Sequence, residues 1–281
     1  MNFPYSFWNN SVKGSSPSSL LNGLLVYYQL NGNANDVLNN YNLSISGNSN
    51  WCTGVVNSGY RQTGTTQNDY LCKHESTPKT SPFRISGNRT ISVWVQEPSL
   101  PDNFYKETYL SKTMHTGNSD YPEWNLQSVS AYLSTWGAFN FSLNFSGATS
   151  TSVSTNISNF TTSNSGKWHL VVITSQNSGK SGSLCIRADN SYSPNNESVG
   201  EPKELTYNEA SPIQSYVTDT PEYASFDIGG YTYTLGNGSI NASNGPCFSN
   251  LDEVGIWNRI LTSGEQTQLY NNGIGKTYPF A

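Results

Sequence analysis

Short segments in which apolar and polar residues alternate recur along most of the chain. Within residues 90–96, Ile91, Val93 and Val95 alternate with their neighbours, and residues 138–145 keep the same period of two. That period is typical of strands with one buried face. Turn-forming Gly, Asn and Ser separate the segments, which together predict about ten to twelve strands. The prominent segments are residues 24–30, 90–96, 107–112, 124–133, 138–145, 168–174, 183–188, 224–228 and 251–257.

Many short strands predict an all-β fold, specifically a two-sheet antiparallel jelly-roll sandwich. One short C-terminal helix is predicted over residues 262–272, because Thr262 and Glu265 match a capping box and Asn272-Gly273 ends the pattern. The polar, Pro-containing stretch 190–221 is expected to be a long loop. Facing sheets bury their inner sides, and the residues expected there are Leu24, Val26, Tyr28, Ile91, Val93, Val95, Leu170, Val172, Val254 and Ile256.

Residues 1–22 are predicted to be an N-terminal arm and linker ahead of a jelly-roll domain over residues 23–281. The arm carries four large rings, Phe3, Tyr5, Phe7 and Trp8, followed by a flexible KGSSPSS linker. It either packs on its own domain or docks on a neighbouring subunit, and the sequence leaves both alternatives open. The start of the chain lacks the basic and apolar regions expected of a signal peptide.

Composition narrows the class of partner. Charged residues make up 12% of the chain and the net charge is −5, which argues against nucleic acid because its binders concentrate Lys and Arg. Aromatic residues reach 13%, as expected of a folded chain. No apolar run approaches the roughly 18 residues of a membrane span. The widely spaced Cys52, Cys72, Cys185 and Cys247 predict free thiols, with a Cys52–Cys72 bridge as the alternative.

Several segments are similar to one known fold family. Residues 23–36 (GLLVYYQLNGNAND) resemble the opening strand and loop of laminin-G-like domains, which belong to the concanavalin A-like superfamily. ISVWV at 91–95 resembles their central strand, and KWHLVV at 167–172 a later inner strand. Residues 251–262, with Glu265 and residues 269–273, resemble the closing strand and short helix. The superfamily includes lectins, glycan-binding modules, adhesion domains, glycosidases and virion proteins, so the resemblance implies a jelly roll without fixing the function.

Candidate catalytic residues are sparse, which favours a non-enzymatic protein. A glycosidase needs two carboxylates roughly 5–9.5 Å apart, and no acid pair has the strand spacing that would supply them. The adjacent Asp252 and Glu253 are expected on opposite faces of a strand, in a structural role. His169 lies within an apolar strand and is expected to be a core histidine.

The loop after the opening strand is the candidate metal site. The resemblance implies a structural Ca²⁺ held by Asn33, Asn35 and Asp36, with Asp252 nearby. Calcium prefers carboxylate, amide and backbone oxygens, which this loop supplies. The alternative is an Asx-turn that holds no metal.

Two functions fit these features. The first is a phage virion protein, a capsid-decoration, head-fibre or tail-fibre component made in the host cytoplasm. Such a protein would contact other virion proteins through its arm, with host glycans as ligands and a homo-oligomer as the expected form. The alternative is a cellular or extracellular lectin-like carbohydrate-binding module. Rings near turns are the candidate sugar platforms, namely Tyr132, Trp136, Tyr207, Tyr216, Tyr223, Tyr231 and Tyr233.

Overall fold

The computed structural model describes residues 18–62, 69–75, 81–96, 108–116, 119–130, 137–145, 149–157, 166–178, 180–188, 203–209, 223–234, 240–243 and 249–280. In chain order these form a 3₁₀ helix (Ser19–Leu21), β1 (Leu24–Tyr28), β2 (Ser44–Ser46), β3 (Ser49–Thr53), β4 (Ser58–Gln62), β5 (Tyr70–Glu75), β6 (Gly87–Gln96), β7 (Thr108–Thr116), β8 (Ser119–Ser130), β9 (Gly137–Phe145), β10 (Thr149–Ile157), β11 (Trp168–Asn177), β12 (Ser181–Ala188), β13 (Lys203–Asn208), β14 (Tyr223–Ile228), β15 (Tyr231–Thr234), β16 (Ile240–Ser243), β17 (Asn250–Trp257), α1 (Ser263–Tyr270) and a second 3₁₀ helix (Asn271–Gly273).

The strands form a two-sheet antiparallel sandwich, as the sequence predicts. Within the described ranges, sheet A has the order β13-β12-β11-β6-β17-β4-β3, with β1 also paired to β17. Sheet B has the order β10-β9-β8-β7-β14-β5-β2, and β15 pairs with β16 in a separate hairpin. Strands distant in sequence are therefore neighbours in both sheets, which is why sequence alternation predicts the strands but not their order.

The core lies between the two sheets. Val93 and Val171 contribute from sheet A, and Leu126 and Phe141 from sheet B. Phe83 and Phe226 stack at its centre with ring centroids 4.1 Å apart. The Trp124 indole N–H donates to the Phe83 carbonyl at 2.7 Å, so a buried polar group is satisfied within the apolar layer.

A second apolar layer covers part of the outer face of sheet A, the face turned away from sheet B. We call it the outer cluster; it comprises Leu20, Tyr27, Trp94, Leu170, Val172, Trp257, Leu261, Leu269 and Phe280. The Trp94 ring stacks on Tyr270 of α1, with centroids 5.8 Å apart. The Trp257 indole N–H donates to the Leu20 carbonyl at 2.7 Å. Helix α1, the N-terminal segment with Leu20 and the C-terminal segment with Phe280 therefore cover part of this face.

Most of the predicted inner-face residues lie in the core, but three do not. Leu24, Leu170 and Val172 pack in or against the outer cluster. In β11 the core-facing residues are instead Val171 and Ile173. Over residues 170–173 both faces of β11 are buried, so this apolar run holds no alternation from which the orientation could be predicted.

The predicted loop 190–221 contains a strand, β13, within the part of it that is described. β13 pairs antiparallel with β12 and forms one edge of sheet A. Its sequence KELTYN has only two apolar side chains, Leu205 and Tyr207. A short, mostly polar edge strand gives a weak alternation signal, and the prediction of a continuous loop is wrong at this point.

The predicted C-terminal helix is confirmed, one to two residues shorter at each end. Thr262 accepts from the Glu265 backbone N–H at 3.3 Å, and Glu265 accepts from the Thr262 N–H at 2.9 Å. Arg259 binds both Glu265 carboxylate oxygens and also donates to the carbonyls of Ser19 and Asn22. This arginine therefore joins the start of the described chain to α1. None of the described helices is long and apolar enough to cross a membrane.

Candidate functional site

Away from the outer cluster, the outer face of sheet A carries a row of polar side chains. Asn88 of β6 pairs with Gln176 of β11, Gln176 with Ser183 of β12, and Ser183 with Thr206 of β13. Directly paired residues of neighbouring strands point to the same face of a sheet. The four side chains therefore form one line across four strands, which we call the polar row.

The polar row lines an open cleft at the end of sheet A, with a volume of about 700 Å³. We call it the polar cleft. Of the polar row, Asn88, Gln176 and Thr206 are exposed and Ser183 is half-buried. The lining residues are Asn88, Gln176, Asn177, Ser178, Ser181, Gly182, Ser183, Thr206, Tyr207 and Asn208.

The strands below the cleft are held by a buried polar contact. The Asn177 side-chain amide donates to the Tyr207 hydroxyl at 2.7 Å, and both residues are buried. Gly182, the strand partner of Tyr207, has no room for a side chain, because an added Cβ would lie 2.7 Å from that hydroxyl. Packing of the ring over the glycine fixes the register of β12 and β13, and with it the spacing of the polar row.

The polar cleft is electrically neutral along its lining. Carboxamides, hydroxyls, one phenol and one glycine line it, without an acid, a base or a thiol. Amides and hydroxyls both donate and accept hydrogen bonds. The site is therefore equipped to bind a ligand rich in hydroxyl groups, and its lining residues include no carboxylate, imidazole or amine that could activate one of its hydroxyls.

Two carboxylates are buried at a bulge in β17. Its register against β6 shifts between Asp252 and Gly255, and Glu253 takes a left-handed conformation with φ of 48°. Asp252 pairs with Trp94 of the outer cluster, and Glu253 lies beside Tyr27 of the same cluster. The bulge thus turns both acids toward the outer layer, whereas strict alternation predicts opposite faces.

Burial dominates the titration of this pair. It raises the pKa of Asp252 to about 8, with the neighbouring Glu253 charge as the second cause. It also raises the pKa of Glu253 to about 7, against the lowering influence of the nearby Tyr27 and Thr277 hydroxyls. Asp252 accepts from the backbone N–H groups of Val56 and Glu253, at 3.1 and 2.9 Å. At 0% and 1% exposure, neither acid can reach a substrate, so the pair is structural.

A cysteine–histidine contact on sheet B also lacks the properties of a catalytic pair. Cys72 Sγ lies 3.6 Å from His74 Nε2. Burial, and then the charge of Asp227, raise the pKa of the Cys72 thiol to about 12. At neutral pH it stays a thiol, whereas a nucleophile must be a thiolate. Cys52, Cys72 and Cys185 are free, and Cys247 lies outside the described residues.

The predicted calcium ligands are engaged in separate backbone contacts. Each oxygen of Asp36 accepts two backbone N–H groups, from residues 27 and 38 and from residues 40 and 41, at 3.0–3.3 Å. The Asn33 side-chain oxygen accepts from the Asn35 N–H at 3.0 Å. Asp252 caps the loop at Val56 instead. No group of three or more His, Cys, Asp or Glu suited to a metal occurs among the described residues. These contacts fit the Asx-turn alternative better, and calcium binding stays a prediction.

Of the candidate sugar-stacking rings, Tyr207 lies at the polar cleft, with 4% exposure. Tyr223 is in β14, and Tyr231 and Tyr233 are in β15. Tyr132, Trp136 and Tyr216 lie outside the described residues, as do Phe3, Tyr5, Phe7 and Trp8. Sequence reasoning missed Asn88, Gln176, Ser183 and Thr206, because their alignment depends on strand pairing. His169 is buried near Phe139, with ring centroids 6.4 Å apart.

No protein-family model matches the sequence, and no curated protein matches it significantly. Solved structures share the fold. The chain is similar to the botulinum neurotoxin serotype D/C binding domain (TM-score 0.58, 13% identity, 90% of this chain and 53% of that one). It is also similar to the type G receptor-binding domain (0.53, 15%, 89% and 51%), and to a DC binding domain solved with SialylT (0.54, 14%, 90% and 52%). The chain spans about half the length of these domains.

The Glu253→Gln variant is expected to stabilise the protein at alkaline pH. Between the ordinary pKa of 4.5 and the folded value of about 7, the folded state keeps a proton that the unfolded chain releases. The free energy of unfolding therefore falls as pH rises through this window, by about 3 kcal/mol at roughly 1.4 kcal/mol per pKa unit. Urea unfolding from pH 4 to 9 should show that the free energy of unfolding depends less on pH in the variant than in the parent. At pH 8 the variant should be the more stable of the two.

Glu265→Gln is the matched control with the opposite sign. Its hydrogen bonds from Arg259 hold the pKa of Glu265 at about 2, so its contribution is present above pH 4.5 and is lost on acidification. This variant should be less stable than the parent at pH 8. Destabilisation by Glu253→Gln at pH 8 would contradict the assignment of a costly buried acid.

The calcium prediction is tested by melting in the presence of chelator. If Asp36 closes its loop only through N–H donors, EDTA leaves the melting temperature unchanged and Asp36→Asn lowers it equally with and without calcium. A ligand bound only to the folded state raises the melting temperature. A calcium-dependent rise that Asp36→Asn abolishes would therefore establish the metal site.

Proposed function

We propose that the chain is a non-enzymatic carbohydrate-recognition domain that binds glycans in the polar cleft. The observation that carries the proposal is the lining of that cleft, whose side chains bear amide and hydroxyl groups and no carboxylate, amine, imidazole or guanidinium. An open cleft lined by neutral hydrogen-bonding residues suits a polyol better than a phosphate.

Sugar hydroxyls need both donors and acceptors to replace bound water. The carboxamides of Asn88, Gln176 and Asn208 offer both, as do the hydroxyls of the neighbouring Ser and Thr residues. These side chains stand on paired strands, so their spacing is set by the sheet. Such preorganisation lowers the entropic cost of binding.

The absence of an enzymatic role is part of the proposal. The acids that lie close together in the described part of the chain, Asp252 and Glu253, are buried and structural. The buried ion pair of Lys112 and Glu75 is likewise removed from solvent. A glycosidase would need two accessible carboxylates on either side of its substrate.

The solved structures with the same fold support a recognition role by analogy. They are receptor-binding domains; one is in complex with SialylT, and another concerns a neurotoxin whose cell entry depends on two ganglioside molecules. At 13–15% identity the similarity shows only that the fold is shared. About half of each of those chains has no counterpart in this chain. The polar cleft itself is therefore the stronger argument.

The proposed setting of this domain is a phage virion, in a capsid-decoration or fibre position that presents the cleft to host glycans. This part of the proposal rests on the sequence, through the aromatic N-terminal segment and the abundance of Asn, Ser and Tyr. The alternative setting is a cellular or extracellular lectin-like module. Both settings use the same cleft, and they differ in the partner of the N-terminal segment.

Glycan binding is tested by isothermal titration against a panel of neutral and acidic oligosaccharides. Gln176→Ala should weaken binding about tenfold, because losing one well-placed hydrogen-bonding pair costs roughly 1–2 kcal/mol. The matched control is Gln268→Ala, an exposed glutamine of α1, which should bind like the parent. A panel in which no oligosaccharide binds the parent would refute the proposed function.

The virion setting is tested by deleting residues 1–17. This deletion stops short of Leu20, whose side chain is fully buried in the outer cluster. The truncated protein is expected to keep its melting temperature and its glycan binding while failing to be incorporated into the particle. Normal incorporation of the truncated chain would contradict the arm as the assembly element.

A further inference from the structure

The polar row has a direction and a length. It runs perpendicular to the strands, from Asn88 at one end through Gln176 and Ser183 to Thr206 at the other. Neighbouring strands are about 4.8 Å apart, so three spacings give a row of roughly 14 Å. A row of that length is too long for a single sugar ring and matches a short run of linked sugars.

The charges around the row are placed unfavourably for an acidic ligand. Glu204 is exposed and lies on the same face, two residues from Thr206, since it pairs with Cys185 in the next row along β12. The cation beyond it, Arg187, is half-buried and lies one row further from the cleft. At the hairpin end, the exposed Lys180 lies in the chain between the lining residues Ser178 and Ser181, and its carbonyl accepts from the backbone N–H of Glu209 at 2.9 Å.

Among the lining residues, a sugar carboxylate would meet no compensating cation. A carboxylate taken from water needs a cation or several charge-assisted hydrogen bonds to offset its desolvation. The lining has no Arg, Lys or His, and the exposed carboxylate of Glu204 adds like-charge repulsion. A neutral sugar is subject neither to carboxylate desolvation nor to repulsion by Glu204.

We propose that the polar cleft binds a linear run of neutral sugar units laid across β6, β11, β12 and β13, and that it discriminates against sialylated and uronic-acid glycans. This inference rests on the proposed function and adds the ligand class, the orientation of the chain and the residue that enforces neutrality. Asn88 and Thr206 contact opposite ends of the ligand, and Glu204 excludes acidic sugars.

The test is isothermal titration of the full chain with two neutral series, malto- and cello-oligosaccharides from disaccharide to hexasaccharide, and with sialyllactose and trigalacturonate as acidic probes. Affinity for a neutral series should rise with length and then level off once the row is covered. The acidic probes should bind at least tenfold more weakly than a neutral oligomer of the same size.

Variants at the ends of the row separate this arrangement from a merely structural effect. Asn88→Ala and Thr206→Ala should each weaken hexasaccharide binding about fivefold, the loss of roughly 1 kcal/mol. They should also lower the number of sugar units at which affinity stops rising, which a general loss of stability would not do. Glu204→Gln should raise affinity for the acidic probes several-fold while leaving the neutral series unchanged.

The possible results separate a failure of this inference from a failure of the proposed glycan recognition. Tighter binding of sialyllactose than of neutral oligomers, or affinity independent of length, overturns the inference and leaves glycan recognition standing. Neutral binding that none of the row variants alters overturns the placement in the polar cleft. Failure of every probe to bind overturns the inference together with the proposed function.

Discussion

Burial of β17 on both faces is the constraint on which the rest of the structure depends. All eight of its residues are buried, and it pairs with β1, β4 and β6 at the centre of sheet A. One face packs Val254 and Ile256 into the core, and the other packs Trp257 into the outer cluster. Covering that second face requires α1 and the chain segments on either side of the sandwich. The cost is the bulge, which leaves two carboxylates in an apolar layer, where the neutral form is favoured.

How far the sequence predicts this fold depends on how each segment is buried. Strands with one buried face, such as β9 with Phe139, Phe141 and Leu143 inward, follow the expected period of two. The capping box at Thr262 depends only on local geometry and is equally readable. β11 is apolar on both faces, so Leu170 and Val172 could be placed in a strand but not on the correct side of it. β13 is a polar edge strand, which composition alone does not separate from a loop.

The candidate site was less accessible to sequence reasoning than the fold. The sequence predicts Tyr207 as a sugar platform near a turn; the residue lies at the polar cleft, but it is buried and hydrogen-bonded to Asn177 rather than presented to solvent. The polar row was not foreseeable, since its members are separated by up to 118 positions in the chain and meet only through the register of three strand pairs. Register is a tertiary property, set here by packing such as that of Tyr207 over Gly182.

The division of the outer face explains why the proposed recognition surface lies where it does. A sheet face left in water must be polar, so exposed amides and hydroxyls alone would be expected of any solvated surface. Two features go beyond that requirement. The strand ends line an open cleft of about 700 Å³, and on the core side of these strands the buried Asn177 and Tyr207 are joined by a polar contact where apolar packing would have served folding as well. Buried hydrogen bonds contribute modestly to stability but fix geometry closely. Specific recognition of a polyol requires neutral amide and hydroxyl groups that are held in a rigid arrangement. A solvated sheet face does not need such rigidity.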